Sequence, residues 1–211
     1  MGGTSVFVKG GLAQRLRPPI TDKKGWGRFA GVILQGKQQI KIMILSVYGP
    51  TPSQETFGMW RTQQEAGGKN PQQLFLADLA ELISMANEKG WALILAGDFN
   101  MPWGGKLQHW ASSLTLHNFW TLKYPHLPYY KSYRRSVLPQ KLCSAPDHLF
   151  FNAHSMALLF NHSDLDVSPQ RQRILRSDHL PFLLSSPISH SLSLSKEDLS
   201  PPHHTSLIEL A

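Results

Sequence analysis

Trp91-Ala92-Leu93-Ile94-Leu95-Ala96-Gly97-Asp98-Phe99-Asn100 is the stretch whose reading decides the fold. The run from Trp91 to Ala96 reads as a buried strand, and Gly97-Asp98-Phe99-Asn100 follows it directly. Side chains alternate across a strand, so Phe99 should enter the core while Asp98 and Asn100 share the opposite side. The plain alternative for that pair is a turn-forming Asp and Asn. Immediately upstream, Asn70-Pro71 places an N-cap asparagine before a proline at the first helical position. Phe75, Leu79, Leu82, Ile83 and Ala86 follow at three- and four-residue spacing, and Gly90 stops the helix.

The strand before that helix ends at Tyr48. Phe29 to Gln35 and Gln38 to Tyr48 predict a hairpin around Gly36-Lys37, closed by Gly49-Pro50-Thr51-Pro52. Ile40, Ile42 and Ile44 alternate with Lys41, and then Met43, Leu45 and Val47 take over the second face. One-sided burial thus becomes two-sided, as in a strand entering a covered sheet. The order strand, helix, strand makes the chain an α/β protein. Further out, Thr4 to Lys9 reads as a short strand, and Leu12 to Lys24 as a polar loop whose Pro18-Pro19 excludes helix.

Downstream, Met101 to Arg135 is rich in Trp, His, Tyr and Pro. It reads mostly as loop, with one short helix near Leu107 to Leu114. His148 to Asn152 and Met156 to Phe160 read as two strands, and Phe182-Leu183-Leu184 as a terminal one. From Ser186 the composition turns to Ser, Leu, His and Pro. Residues 1–185 are therefore expected to form one domain, and residues 186–211 a disordered tail. Ser191 to Leu194 offers an edge strand as the alternative within that tail.

A second motif answers the first. Ser177-Asp178-His179-Leu180-Pro181 opens the last strand, and Pro181 allows a sharp turn that aims Asp178 and His179 differently. Pro146-Asp147-His148 sets a carboxylate at another strand start. Asp147 there can accept an N–H from His179 and fix its tautomer, whereas the side chain of His148 should face the other way. Asp98, Asn100, Asp147, Asp178 and His179 are expected to converge on one crevice. Such a crevice is oxygen-rich and carries an imidazole, which suits a hard divalent cation and phosphoester hydrolysis. Tyr48, at its own strand end, would put a hydroxyl against the phosphate. The lone cysteine, Cys143, has no activating neighbour in sequence and reads as inert.

The bulk composition agrees with a single globular α/β domain. The chain has 211 residues, 41% hydrophobic and 17% charged, with 21 Lys and Arg against 14 Asp and Glu. The resulting net charge of +7 attracts polyanions. No apolar run approaches the roughly 18 residues needed to span a bilayer, and no basic region with a long apolar stretch opens the chain. An intracellular protein that does not enter a membrane is expected.

With these residues assembled, the chain resembles the endonuclease/exonuclease/phosphatase superfamily, including apurinic endonucleases and endonuclease domains of non-LTR retrotransposons. The matching pieces are Ser46-Val47-Tyr48-Gly49-Pro50, Gly97-Asp98-Phe99-Asn100, Asp147 before Leu149-Phe150-Phe151, and Ser177-Asp178-His179-Leu180-Pro181, in the family's order. Ser132-Tyr133 looks like the family's Ser/Thr-aromatic step lining the substrate groove, and Arg28-Phe29-Ala30-Gly31 like an equivalent strand entry. The resemblance implies a four-layer α/β sandwich of two mixed sheets flanked by helices. It also implies a Mg²⁺- or Mn²⁺-dependent phosphodiester hydrolase acting on nucleic acid, DNA foremost, as a monomer. A nuclear location would suit a retroelement product.

The same resemblance assigns roles. Asp98 orients or deprotonates water, and Asn100 positions the phosphate. His179, supported by Asp147, stabilises the developing charge. Asp178 and Asp98 hold metal, and Tyr48, Ser132 and Tyr133 contact substrate. Family members open with two strands ending in a metal-site Asn and in Gln-Glu, and this sequence starts after both. Gln54-Glu55 carries the letters in a loop, not at a strand end. The resemblance therefore implies a domain lacking its first strands, with Mg²⁺ affinity in about the millimolar range or weaker. Hydrolysis would be feeble or absent while polyanion binding persists. A catalytically inactive nucleic-acid-binding remnant and a phosphatase of the same fold are the alternatives.

Overall fold

In the computed structural model the described residues are 4–36, 39–52, 59–67, 70–129, 133–134, 143–144, 146–160, 166–169 and 182–185. The elements run β1 (Ile20–Thr21), β2 (Phe29–Gln35), β3 (Lys41–Tyr48), α1 (Met59–Gly67), α2 (Pro71–Glu88) and β4 (Ala92–Asp98). They continue with α3 (Gly105–Ser113), β5 (His117–Asn118), α4 (Phe119–Lys123), β6 (Tyr133–Arg134), β7 (Cys143–Ser144) and β8 (Asp147–Phe151). The last are α5 (Ala153–Ser155), β9 (Asp166–Pro169) and β10 (Phe182–Ser185).

Six strands form one mixed sheet in the order β1-β2-β3-β4-β8-β5. The β2–β3 hairpin is antiparallel, α2 carries the chain back so that β4 joins β3 in parallel, and β8 closes antiparallel on β4. Parallel neighbours need such a crossover, and α2 supplies it. Its start follows from local chemistry: the Asn70 side chain accepts from the Gln72 N–H at 2.9 Å, and Pro71 takes the first position.

The strand alternation sorts the core into two faces. Met43, Leu45, Val47, Leu93, Leu95, Phe99 and Phe150 face the helices, against Phe75, Leu79 and Ile83 of α2 and Leu107 of α3. Burying each of these α2 side chains contributes roughly 1.5–3 kcal/mol. Ile42, Ile44, Ile94, Ala96, Leu149 and Phe151 line the other face with Leu12, Val32 and Phe119, and Val6, Val8, Met156 and Leu158 pack on them.

Three expectations change. Thr4 to Lys9 forms no strand: Val6 makes only an isolated bridge, and a 3-10 turn follows at Gly10–Arg15. The two prolines therefore do not keep helical turns out of the whole segment, because they restrict only the residues next to them. Met156 to Phe160 is not a strand but a π-helical turn continuing α5. Asn152 decides this, since its Oδ1 accepts from the Ser155 N–H at 2.9 Å and caps the helical start. The short terminal strand is present as β10, paired antiparallel with β9. Residues 186–211 and Gln54-Glu55 lie outside the described residues.

Candidate functional site

Register builds the site. Tyr48 stands beside Asp98 in the parallel β3–β4 pair, and Asp98 stands beside Asp147 in the antiparallel β4–β8 pair. The three residues thus form a row across neighbouring strands at one end of the sheet. Strand partners in register point to the same face. All three are half-buried, so the row lies at the margin of the core and not within it.

The Phe99 N–H donates to Pro146 O at 2.8 Å, making Phe99–Pro146 a hydrogen-bonded pair. Antiparallel pairs alternate, so Asp98–Asp147 is the intervening non-hydrogen-bonded type, in which Cα atoms approach to about 4.5 Å. Two carboxylates are thereby set close together on one face.

Asn100 turns the chain at the end of β4. Its φ of 51° lies in the left-handed region, which asparagine tolerates better than most residues. Asp98 Oδ1 accepts its backbone N–H at 2.7 Å, and its own Nδ2 donates to Gly49 O at 2.8 Å. The turn-forming role of Asp98 is therefore present alongside its place in the row. The amide ties the β4 end to the β3 end, and no described residue donates to Asn100 Oδ1. Close approach explains the glycines: a Cβ on Gly97 would lie 2.2 Å from Val47 O, and one on Gly49 2.2 Å from Phe99 O. Phe99 is fully buried, edge-on to Phe75 and Phe150, as the alternation predicts.

His148 faces away from the row, also as expected, and enters a buried polar chain that the sequence did not reveal. Its Nε2 lies 2.8 Å from Met101 O and its Nδ1 2.6 Å from the Tyr129 hydroxyl, which accepts from Asn118 Nδ2 at 2.7 Å. Burial pulls the His148 pKa down to about 4, against smaller opposing effects of the Met101 carbonyl and the Asp147 charge. Burial likewise raises the Tyr129 pKa, opposed by the Asn118 hydrogen bond and assisted by Asp147. The Asp147 carboxylate is thus electrostatically within reach of both rings.

A second buried network sits at the start of β2. Asp22 accepts from Arg28 Nε at 2.8 Å and Nη2 at 3.0 Å, and Asp78 of α2 accepts from Nη2 at 2.5 Å. Burial would raise the Asp22 pKa, but the Arg28 hydrogen bonds and charge outweigh it and lower it. Arg28 Nη1 is buried with no hydrogen-bond partner among the described residues.

Asp178, His179 and Ser132 lie outside the described residues, and Tyr133 is described only as backbone in β6. Tyr48, Asp98, Asn100 and Asp147 are the expected residues that the structure brings together. For a hard cation they offer two carboxylates, a phenol and a carboxamide oxygen, which is the right donor chemistry. Among the described residues, no three His, Cys, Asp or Glu side chains gather as a metal-binding group. No described helix is long and apolar enough to cross a membrane.

No protein-family model and no curated protein matches the sequence. Solved structures do match. An AP endonuclease from Leishmania major aligns at a TM-score of 0.54 and 16% identity, covering 75% of this chain and 54% of that one. The catalytic domain of APE2 from Xenopus laevis aligns at 0.56 and 14%, covering 76% and 55%. The chain has the endonuclease/exonuclease/phosphatase fold. It spans about half the length of these two structures. Within that fold, the row Tyr48-Asp98-Asp147 lies at the C-terminal ends of β3 and β4, where open α/β sheets hold their ligands.

Proposed function

We propose that this chain is a divalent-metal-dependent phosphodiester hydrolase of the endonuclease type, acting on nucleic acid. The row of Tyr48, Asp98 and Asp147, with Asn100 tied across to Gly49, carries the reading. The shared fold with AP endonucleases and the net charge of +7 support it. Asp98 and Asp147 would hold or face Mg²⁺ or Mn²⁺, with Asn100 Oδ1 directed at the phosphate or the attacking water. When bound, the ion supplies Lewis-acid stabilisation of the phosphoryl oxygens. Asp98 orients or deprotonates the water, and the Tyr48 hydroxyl donates to a phosphate oxygen.

Several finer elements complete the proposal. His179 and Asp178 join the crevice from the last strand, and Ser132 and Tyr133 line the groove. The domain occupies residues 1–185 of a four-layer sandwich and works as a monomer on DNA, in the nucleus if it is a retroelement product.

Among the described residues the donor set is sparse, which favours a second reading, polyanion binding with feeble or no turnover. A phosphatase action within the same fold has no comparable support. The test is Mg²⁺-dependent nicking of supercoiled plasmid by the chain and by Asp98→Ala, with gel-shift binding measured in parallel. Cleavage lost in Asp98→Ala establishes the hydrolase. Binding without cleavage establishes the second reading. Neither binding nor cleavage overturns both.

A further inference from the structure

We propose that His148 is a positioning residue for this site: its imidazole, wedged between Tyr129 and Met101, holds the Asp98–Met101 turn in place against Asp147. This rests on reading Asp98, Asn100 and Asp147 as the functional row. His148 is 1% exposed. A backbone carbonyl can only accept, so the 2.8 Å contact with Met101 O puts the proton on Nε2. Nδ1 is then an acceptor, and the Tyr129 hydroxyl, 2.6 Å away, donates to it. The hydroxyl oxygen in turn accepts from Asn118 Nδ2 at 2.7 Å, and Asn118 Oδ1 accepts from the Thr121 N–H at 3.3 Å. Donor and acceptor are assigned at every step: the Nε2–H tautomer satisfies the whole chain, whereas the other tautomer sets a ring nitrogen lone pair against Met101 O and loses that hydrogen bond.

The geometry of Met101 gives this a functional sense. β4 ends at Asp98, so sheet hydrogen bonding beyond the Phe99–Pro146 contact no longer fixes the backbone. From there the turn is held by Asp98 Oδ1 on the Asn100 N–H, by Asn100 Nδ2 on Gly49 O, and by His148 on Met101 O. The first two ties lie within the turn or run to the end of β3. The third reaches across from β8, and it comes from the residue directly after Asp147. Phe99, edge-on to His148 at 5.6 Å, and Trp103, at 6.1 Å, limit the ring's freedom to tilt. Met101 is 7% exposed, so without the imidazole its carbonyl would lack a donor in a nearly dry site, and the turn would re-orient to find one. Asn100 would move with it.

Side-chain amide and imidazole NMR on the full chain tests this without requiring activity. In the wild type the His148 nitrogens should show the Nε2–H tautomer at neutral pH. His148→Phe keeps a ring in the core but removes both hydrogen bonds, and should shift the Asn100 carboxamide and Met101 amide signals. His148→Gln, which keeps a donor at the reach of Nε2, should return them toward wild type. Tyr129→Phe covers the case in which His148→Phe does not fold, since loss of the hydroxyl should move the same signals. Unchanged Asn100 signals in folded His148→Phe, or in Tyr129→Phe should His148→Phe not fold, would overturn the proposal. So would failure of His148→Gln to restore them. If the wild type cleaves nucleic acid, His148→Phe should lower kcat about tenfold or more with KM little changed, and His148→Gln should recover much of it. A wild type that does not cleave counts against the hydrolase reading alone, because the NMR comparison still decides the positioning role.

Discussion

Asp98 and Asp147 face each other across β4 and β8 as a non-hydrogen-bonded pair, the closer of the two antiparallel arrangements. Like charges placed directly opposite are unfavourable by up to about 1 kcal/mol, and a bound cation reverses the sign. With a Kd on the order of 1 mM, about 10 mM Mg²⁺ should stabilise the fold by about 1.4 kcal/mol. Urea melts with and without Mg²⁺ check this. The increment should vanish in Asp98→Asn and in Asp147→Asn, and an equal increment in all three proteins would remove the metal from this pair.

Gly97 holds the β4 end against β3. Its φ is 138°, and an added Cβ would meet Val47 O at 2.2 Å and Val47 N at 2.9 Å, backbone atoms that cannot turn aside. Gly97→Ala should therefore cost at least about 3 kcal/mol, near the top of the range for single substitutions. The denaturant midpoint should fall with little change in slope. A loss below 1 kcal/mol would mean that the β3–β4 contact yields more easily than its geometry implies.

Arg28 joins the entry of β2 to α2 through Asp22 and Asp78, with its side chain fully buried. Arg28→Met removes the guanidinium paired with buried Asp22, and should destabilise by roughly 3–5 kcal/mol. The double change Arg28→Met with Asp22→Asn should recover part of that loss, because it removes the stranded charge. A double variant no better than the single one would assign the loss to packing of the guanidinium on Trp26, which lies 4.7 Å away.

His148 gives the fold a pH dependence of known sign. Its pKa is about 4 in the fold against an ordinary 6.5, so the unfolded chain binds more protons between those values. The stability it contributes is complete above pH 6.5 and is lost as pH falls toward 4. The loss totals on the order of 3 kcal/mol. Asp147 and Tyr129 are the titratable groups coupled to it. Chemical denaturation across pH 7 to 4 should show this slope in the wild type, and His148→Phe should flatten it.

Much of this was legible locally. Asn70-Pro71 and the spacing of Phe75, Leu79, Ile83 and Ala86 specify α2 because capping and the 3.6-residue period act within one segment. That His148 points the opposite way from Asp147 needs only the two-residue strand period. Met156 to Phe160 misled because a short apolar run reads equally as strand or buried helix. The arbiter was Asn152, which also accepts from the Leu93 N–H at 3.0 Å and donates to Trp91 O at 2.8 Å. Those partners lie far away in sequence.

What the sequence by itself determined is the alternation of apolar runs with caps and turns, and the placing of Tyr48, Asp98 and Asp147 at strand ends. These are properties of neighbouring residues, and short-range sterics and hydrogen bonding suffice to set them. Only the tertiary structure decided that the three stand in one row, because strand order and register come from non-local pairing. It alone also assigned His148 to Tyr129 and Met101. A buried donor or acceptor takes whatever partner the packed chain brings within about 3 Å, and no local pattern encodes that meeting.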